Sequence, residues 1–141
     1  MSFFVVEYGA NADQGFTRTH RLRRKRDIDR VFREGVRRNG RAFGFRILWK
    51  DDPTPRLLVV TSRKLGKAVV RNRIRRGVRE AFRTHKGLFA HCDVVVIPRS
   101  ELAGLPAREI GRRFIQEFRE VWDASGDTPD QRGLRAEEGG A

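Results

Sequence analysis

KAVVRNRIRRGVREAFR, residues Lys67–Arg83, holds six arginines, one lysine and a single acid, Glu80. At 100° per residue Val70, Ile74, Val78, Ala81 and Phe82 fall on one stripe about 120° wide, the core face of an amphipathic helix. Asn72, Arg76, Arg79 and Arg83 stack on the opposite side, and Arg73 and Arg75 lie on the two flanks. Like charges at i, i+4 destabilise an isolated helix by a few tenths of a kcal/mol per pair, so this arrangement calls for a compensating ligand. A guanidinium grips a phosphate bidentately and stacks on a base, which an ammonium does not. The stretch therefore predicts a helix with a core behind it and a polyanion in front.

The flanks of that helix fix the fold class. Upstream, RLLVVTS (56–62) is apolar and β-branched enough for a strand, and downstream CDVVVIPR (92–99) suits a strand buried on both faces. Further upstream RAFGFRILWK (41–50) alternates Phe43, Phe45, Ile47 and Trp49, the period of a half-buried strand. DDPTP (51–55) turns the chain, and the strands on either side of it are antiparallel if that turn is a hairpin. RDIDRVFREG (26–35) offers Asp27 as an N-cap, Ile28, Val31 and Phe32 as an apolar trio, and Gly35 as a stop. LPAREIGRRFIQEFREVW (105–122) starts a last helix near Pro106, with Ile110, Phe114, Phe118, Val121 and Trp122 at helical spacing. The order read from the residues is helix, strand, strand, helix, strand, helix. Residues 1–15 form an extension of uncertain order, 16–122 a single domain, and 123–141 a polar stretch expected to be disordered.

Charge narrows the function. The 141-residue chain has a formal net charge of +13, yet from Phe16 to Arg83 there are 23 basic and 6 acidic residues, leaving an acidic excess outside that window. Such density resists compaction unless a polyanion neutralises it, and nucleic acid is the leading partner. The longest apolar runs are too short to span a bilayer. A lone Cys92 rules out an internal disulfide, and MSFFVVEY lacks an export signal, so a cytoplasmic protein is expected. His20, His85 and His91 sit on different expected elements and build no acid–base site. His91-Cys92-Asp93 are adjacent in sequence, which disfavours convergence on one metal ion, and Cys92 reads as a small core residue. Asp51 and Asp52 read as turn residues, and Phe114, Phe118 and Trp122 as core.

TSRKLGKAVVRNRIRRGVREAFR (61–83) resembles the bacterial ribonuclease P protein family, whose signature centres on an Arg-Asn-Arg triplet, here Arg71, Asn72 and Arg73. Ser62, Lys64, Gly66, Ala68 and Val69 supply the family's approach to it. FTRTHRLRRKRDIDRVFREG (16–35) is similar to the family's N-terminal block, and DVVVIPR (93–99) to its fourth strand. The resemblance covers Phe16 to about Trp122. It implies an α/β sandwich of two layers in αβββαβα order, with a mixed sheet and a left-handed βαβ crossover. It also implies the protein subunit of a ribonucleoprotein endonuclease, whose catalytic RNA removes the 5′ leader of precursor tRNA using magnesium ions held by the RNA. The protein subunit by itself is then expected to be non-catalytic, with no metal of its own. Arg71, Asn72, Arg73, Arg75, Arg76 and Arg79 carry over as contacts to the RNA subunit, with Ser62, Arg63, Lys64 and Lys67 on the approach to the same surface. Phe32 carries over to a cleft for the leader. Ile28 stands where the family has a second cleft aromatic, Gly77 where it has an apolar helix residue, and Leu58 where it has a strand glycine. Leucine at Gly77 is accordingly expected to stabilise the fold, unless Leu58 fills the same space.

Composition alone equally supports a purely structural RNA-binding protein such as a small ribosomal component. Insertion of the Lys67–Arg83 helix into a DNA groove has no helix-turn-helix pattern or dimer signature behind it, and DNA and membrane are not expected partners.

Overall fold

A computed structural model describes residues 5–6 and 18–124. Its elements are β1 (Val5–Val6), α1 (Lys25–Glu34), β2 (Val36–Asn39), β3 (Phe43–Trp49), β4 (Arg56–Thr61), α2 (Ala68–Thr84), β5 (Cys92–Pro98) and α3 (Ala107–Ala124). From α1 onward this is the αβββαβα order. The expected extension contributes β1, which pairs Val5 with Thr61 and Val6 with Val60. The rest of that extension, and the polar stretch beyond Ala124, lie outside the described residues. Asp123 and Ala124 belong to α3, so the helix runs two residues past the expected boundary.

The strands are ordered β1-β4-β5-β3-β2. The turn at 51–55 is therefore not a hairpin: β3 and β4 follow one another but do not pair, because β5 lies between them. β5 is antiparallel to β3 and parallel to β4, and α2 makes the crossover between the parallel pair. β2, the strand the residue pattern did not reveal, pairs antiparallel with β3 at the sheet edge. VRRN has one apolar side chain and needs no more, since an edge strand half exposed to water has little to bury.

Alternation along the central strands sends side chains to two cores. Phe43, Phe45, Ile47, Leu57, Val59, Val94 and Val96 face α2 and α3, where Ile74, Val78, Phe82, Phe114, Phe118 and Trp122 close the larger core. Leu48, Leu58, Val60 and Val95 point the other way, to Leu22 and Val31 beneath α1. The two expected layers thus gain a third, partial one. β5, sandwiched between them, is buried at six of its seven positions, as its sequence predicts.

Three polar devices hold the ends of the sheet. Asp93, almost fully buried, receives Arg56 through both carboxylate oxygens at 2.9 and 2.7 Å and Lys50 at 2.8 Å. Arg56 also reaches Asp27 at 3.3 Å, so Asp27 is not the N-cap; α1 begins at Lys25 with Arg24 at that position. At the other end the β2–β3 turn is clamped from two sides. Glu117 accepts the amides of Ala42 and Phe43 at 3.1 and 3.2 Å, and Arg99 donates to the carbonyl of Gly40 at 2.7 Å and to Asn39 Oδ1 at 2.9 Å. The acid and the base that bound DVVVIPR are therefore both bracing residues.

α2 and α3 touch backbone to backbone. A Cβ at Gly77 would sit 2.5 Å from the Ala107 carbonyl oxygen and 3.1 Å from Ile110 Cβ, and one at Gly111 would sit 2.7 Å from the Gly77 carbonyl oxygen. This overturns the expected gain from leucine at Gly77. Leu58 belongs to the core on the opposite face of the sheet and leaves the Gly77 contact untouched.

Candidate nucleic-acid interface

The chain enters α2 through a short 3-10 turn, Arg63–Leu65, pinned by the buried Leu65. Gly66 follows at φ +130°, a conformation a Cβ would strain, and turns the chain into the helix. Ser62 is half-buried, whereas Arg63, Lys64 and Lys67 are exposed. Lys67 occupies the N-cap position without a side-chain cap bond, and the first turn contains no acid. Cations at the positive end of a helix dipole raise the local potential rather than offset it. Val69 in that turn is 65% exposed, the large apolar side chain most open to water among the described residues.

Along α2 the core stripe holds as predicted, with Ile74, Val78 and Phe82 fully buried. The arginines divide by role. Arg76 is exposed and Arg71, Arg73 and Arg79 are half-buried. Arg71 Nη1 donates to the Gly66 carbonyl at 3.1 Å, and Arg73 Nη2 donates to the Ala103 carbonyl at 2.9 Å, which fixes both guanidinium groups near the helix start. Arg83 pairs with Glu80. Arg75 departs from expectation: it lies 6% exposed rather than on a solvent flank, and donates to Thr61 Oγ1 at 3.2 Å and to Asn72 Oδ1. Helical phase placed it at the margin of the core stripe, and the end of β4 closes over that margin. Arg75 thus orients the exposed Asn72 instead of presenting its own charge to solvent.

The second predicted surface lies on the other side of the sheet. Ile28 and Phe32 are half-buried on α1, packed on the smaller core and open on their outer edges. Arg46 Nη1 donates to the Phe32 carbonyl at 3.0 Å, and its guanidinium carbon sits 5.0 Å from the Phe32 ring centre. Arg37 lies opposite Arg46 in the β2–β3 register and adds a further cation to this face. Sequence reasoning missed both residues, because Arg46 alternates with the apolar residues of β3 and Arg37 belongs to the strand that was not read.

The remaining candidates take structural places. His85 Nδ1 lies 2.9 Å from the Ala81 carbonyl at the end of α2, and His91 stacks on Trp49 at 5.4 Å. Cys92 is fully buried and Asp52 accepts the Thr54 amide at 2.9 Å in a turn. Among the described residues no group of three or more His, Cys, Asp or Glu side chains is placed to hold a metal ion, and no helix is long and apolar enough to cross a membrane.

A small mixed α/β domain with an arginine-faced helix on one side of its sheet and a half-exposed aromatic beside arginines on the other defines an RNA-binding protein. The chain belongs to the ribonuclease P protein family: the family model described as Ribonuclease P matches residues 16–123. The ribonuclease P protein component of Petrotoga mobilis is 41% identical over 113 residues, covering 77% of this chain and 96% of that protein. That of Thermotoga petrophila is 42% identical over 93 residues, 64% of this chain and 78% of the relative. Among solved structures, the Staphylococcus aureus RNase P protein superposes with a TM-score of 0.63 at 27% identity, over 75% of this chain and 94% of its own. The Thermotoga maritima RNase P protein gives 0.61 at 34% identity, over 68% and 92%. Membership of this family supports the ribonuclease P reading, and the alternative of a purely structural ribosomal RNA binder falls away.

Proposed function

We propose that this chain is the accessory subunit of a ribonucleoprotein endonuclease, working in the cytoplasm, in which the RNA performs the cleavage and the protein holds two RNA segments at once. α2 binds the RNA subunit through Arg71, Asn72, Arg73, Arg76 and Arg79, with Arg75 setting Asn72 from behind and Ser62, Arg63, Lys64 and Lys67 extending the contact. The α1 face takes the 5′ leader of precursor tRNA, a base lying against Phe32 and Ile28 while Arg46 and Arg37 meet its phosphates. Magnesium belongs to the RNA subunit in this reading. The observation that carries the reading is the placement of the Arg71-Asn72-Arg73 triplet on a helix locked to the core by Ile74, Val78 and Phe82, so that binding pays little ordering entropy. Reconstitution with a bacterial ribonuclease P RNA at low magnesium tests it. The full chain should accelerate cleavage of precursor tRNA at the mature 5′ end, and the chain freed of RNA should cleave nothing. Unchanged cleavage on adding the chain would overturn the accessory role, and cleavage by the chain alone would overturn the division of labour.

A further inference from the structure

The segment leading into α1 carries a second concentration of charge that α2 does not account for. From Arg18 to Arg26 there are six basic residues and no acid. The segment is held in place: Leu22 is fully buried in the smaller core, its amide donates to the Leu57 carbonyl at 3.1 Å, and Arg21 forms a parallel bridge to Leu57. Arg18, Arg23 and Arg24 are exposed as a result, around a concavity of about 210 Å³ that Arg21, Arg56 and Asp27 also line. The acids nearby take part in ion pairs of the fold. Asp27 and Asp93 receive Arg56, Asp93 also receives Lys50, and Asp29 receives Lys25 at 2.9 Å. At the margin, burial and then the Lys86 ammonium hold the His20 imidazole below its usual range, in keeping with a positive local field.

Position indicates which RNA this patch meets. Arg23 and Arg24 precede the first turn of α1, Ile28 stands about one turn on, and Phe32 one turn beyond that. A strand lying against Phe32 and Ile28 and continuing along α1 arrives at Arg24 and Arg23. The Arg71-Asn72-Arg73 triplet is elsewhere: it follows the Thr61 end of β4, whereas the patch adjoins the Arg56 end, roughly 17 Å away along a six-residue strand, and α2 covers the opposite face of the sheet. We infer that Arg18, Arg23 and Arg24 bind backbone phosphates of the upstream part of the leader, extending the Phe32 surface along α1, an inference that rests on the leader reading above. Single-stranded RNA is held in this way, by cations that track its backbone beyond the bases that stack.

The test uses the full chain reconstituted with ribonuclease P RNA and three ligands: mature tRNA, and precursors with leaders of about 4 and about 12 nucleotides, which bracket common single-strand footprints. In the R23Q/R24Q variant, affinity for the long-leader precursor should fall about tenfold or more, as expected for losing charge-assisted contacts. Affinity for the short-leader precursor and for mature tRNA should stay within about twofold, and the salt slope should drop by about 1 to 2 for the long leader alone. Equal losses on all three ligands would assign the patch to the RNA subunit, and no loss on any would make it a solvated surface; either overturns the inference. R23Q alone, at an exposed position, keeps the test decisive if the double variant melts early, with a smaller loss confined to the long leader. F32A measured in parallel separates the two readings. If F32A discriminates short-leader precursor from mature tRNA while R23Q/R24Q discriminates nothing, only the extension fails. If F32A weakens both ligands equally, the leader reading itself fails.

Discussion

A methyl group at Gly77 has nowhere to go but into α3, and the atom it meets is a backbone oxygen that cannot rotate away. Alanine there gains up to about 1 kcal/mol of helix propensity but forces the helices apart, and overpacking of this kind costs about 1 to 3 kcal/mol. Gly77→Ala should therefore lower the urea midpoint at unchanged m-value, and Gly77→Leu should lower it further; a raised midpoint for either would mean that the helices have room between them. Glu117 is the other residue whose surroundings decide its behaviour. Burial raises its carboxyl above the usual 4.5, the Ala42 and Phe43 amides pull it back in part, and Glu120 and Glu101 push it up again. Its folded pKa exceeds its unfolded one, so across that interval the native state binds more protons and stability falls as pH rises. Glu117→Gln keeps an oxygen for the two amides but cannot ionise. The stability of the Gln variant relative to wild type should accordingly climb as pH rises from about 4.5, in denaturant titrations at successive pH values; a difference independent of pH would mean that Glu117 titrates as it does in water.

At the scale of the element, α2 was legible because two signals of different period coincide in one stretch, an apolar stripe and an arginine stripe, and each fixes the phase of the other. α3 was legible for the first of these reasons. β2 was not, since an edge strand carrying Val36 and three polar residues offers neither alternation nor a continuous apolar run. Arg75 shows the resolution limit of helical phase: a residue at the edge of a stripe is buried or exposed according to what the neighbouring strand does, here Thr61 at the end of β4. The charge on α2 has a measurable consequence. Each phosphate neutralised contributes roughly 0.7 to 0.9 to the dependence of log affinity on log salt, so binding to ribonuclease P RNA should show an absolute slope above about 4. Replacing the exposed Arg76 by Gln should lower it by about 1 without shifting the melting temperature. A slope near one for the wild-type chain would remove α2 from the interface.

For the whole molecule, what the sequence could not disclose was arrangement. Consecutive strands joined by a short turn normally pair, and nothing local in 41–62 signals that β5 will part them; that follows from α2 returning the chain parallel to β4. The arrangement matters because it puts α1 and α2 on opposite faces, so the two RNA contacts proposed above can be tested one at a time. Arg76 is the clean probe on the α2 side, since Arg73 also ties the helix to Ala103 and its removal would loosen structure as well as binding. Arg76→Ala should weaken assembly with the RNA subunit by about 1.5 to 3 kcal/mol whatever tRNA is present, leaving the melting curve unchanged. Phe32→Ala should leave assembly intact and weaken precursor tRNA relative to mature tRNA by about 1 to 3 kcal/mol, because only the precursor offers unpaired bases to the ring. Phe32 is half-buried, so some loss of stability will accompany the mutation, and Phe32→Leu controls for it by restoring apolar volume without a stacking face. If the Leu variant recovers stability but not precursor discrimination, the ring itself contacts the leader. If it recovers both, Phe32 serves the smaller core and the leader lies elsewhere on the sheet.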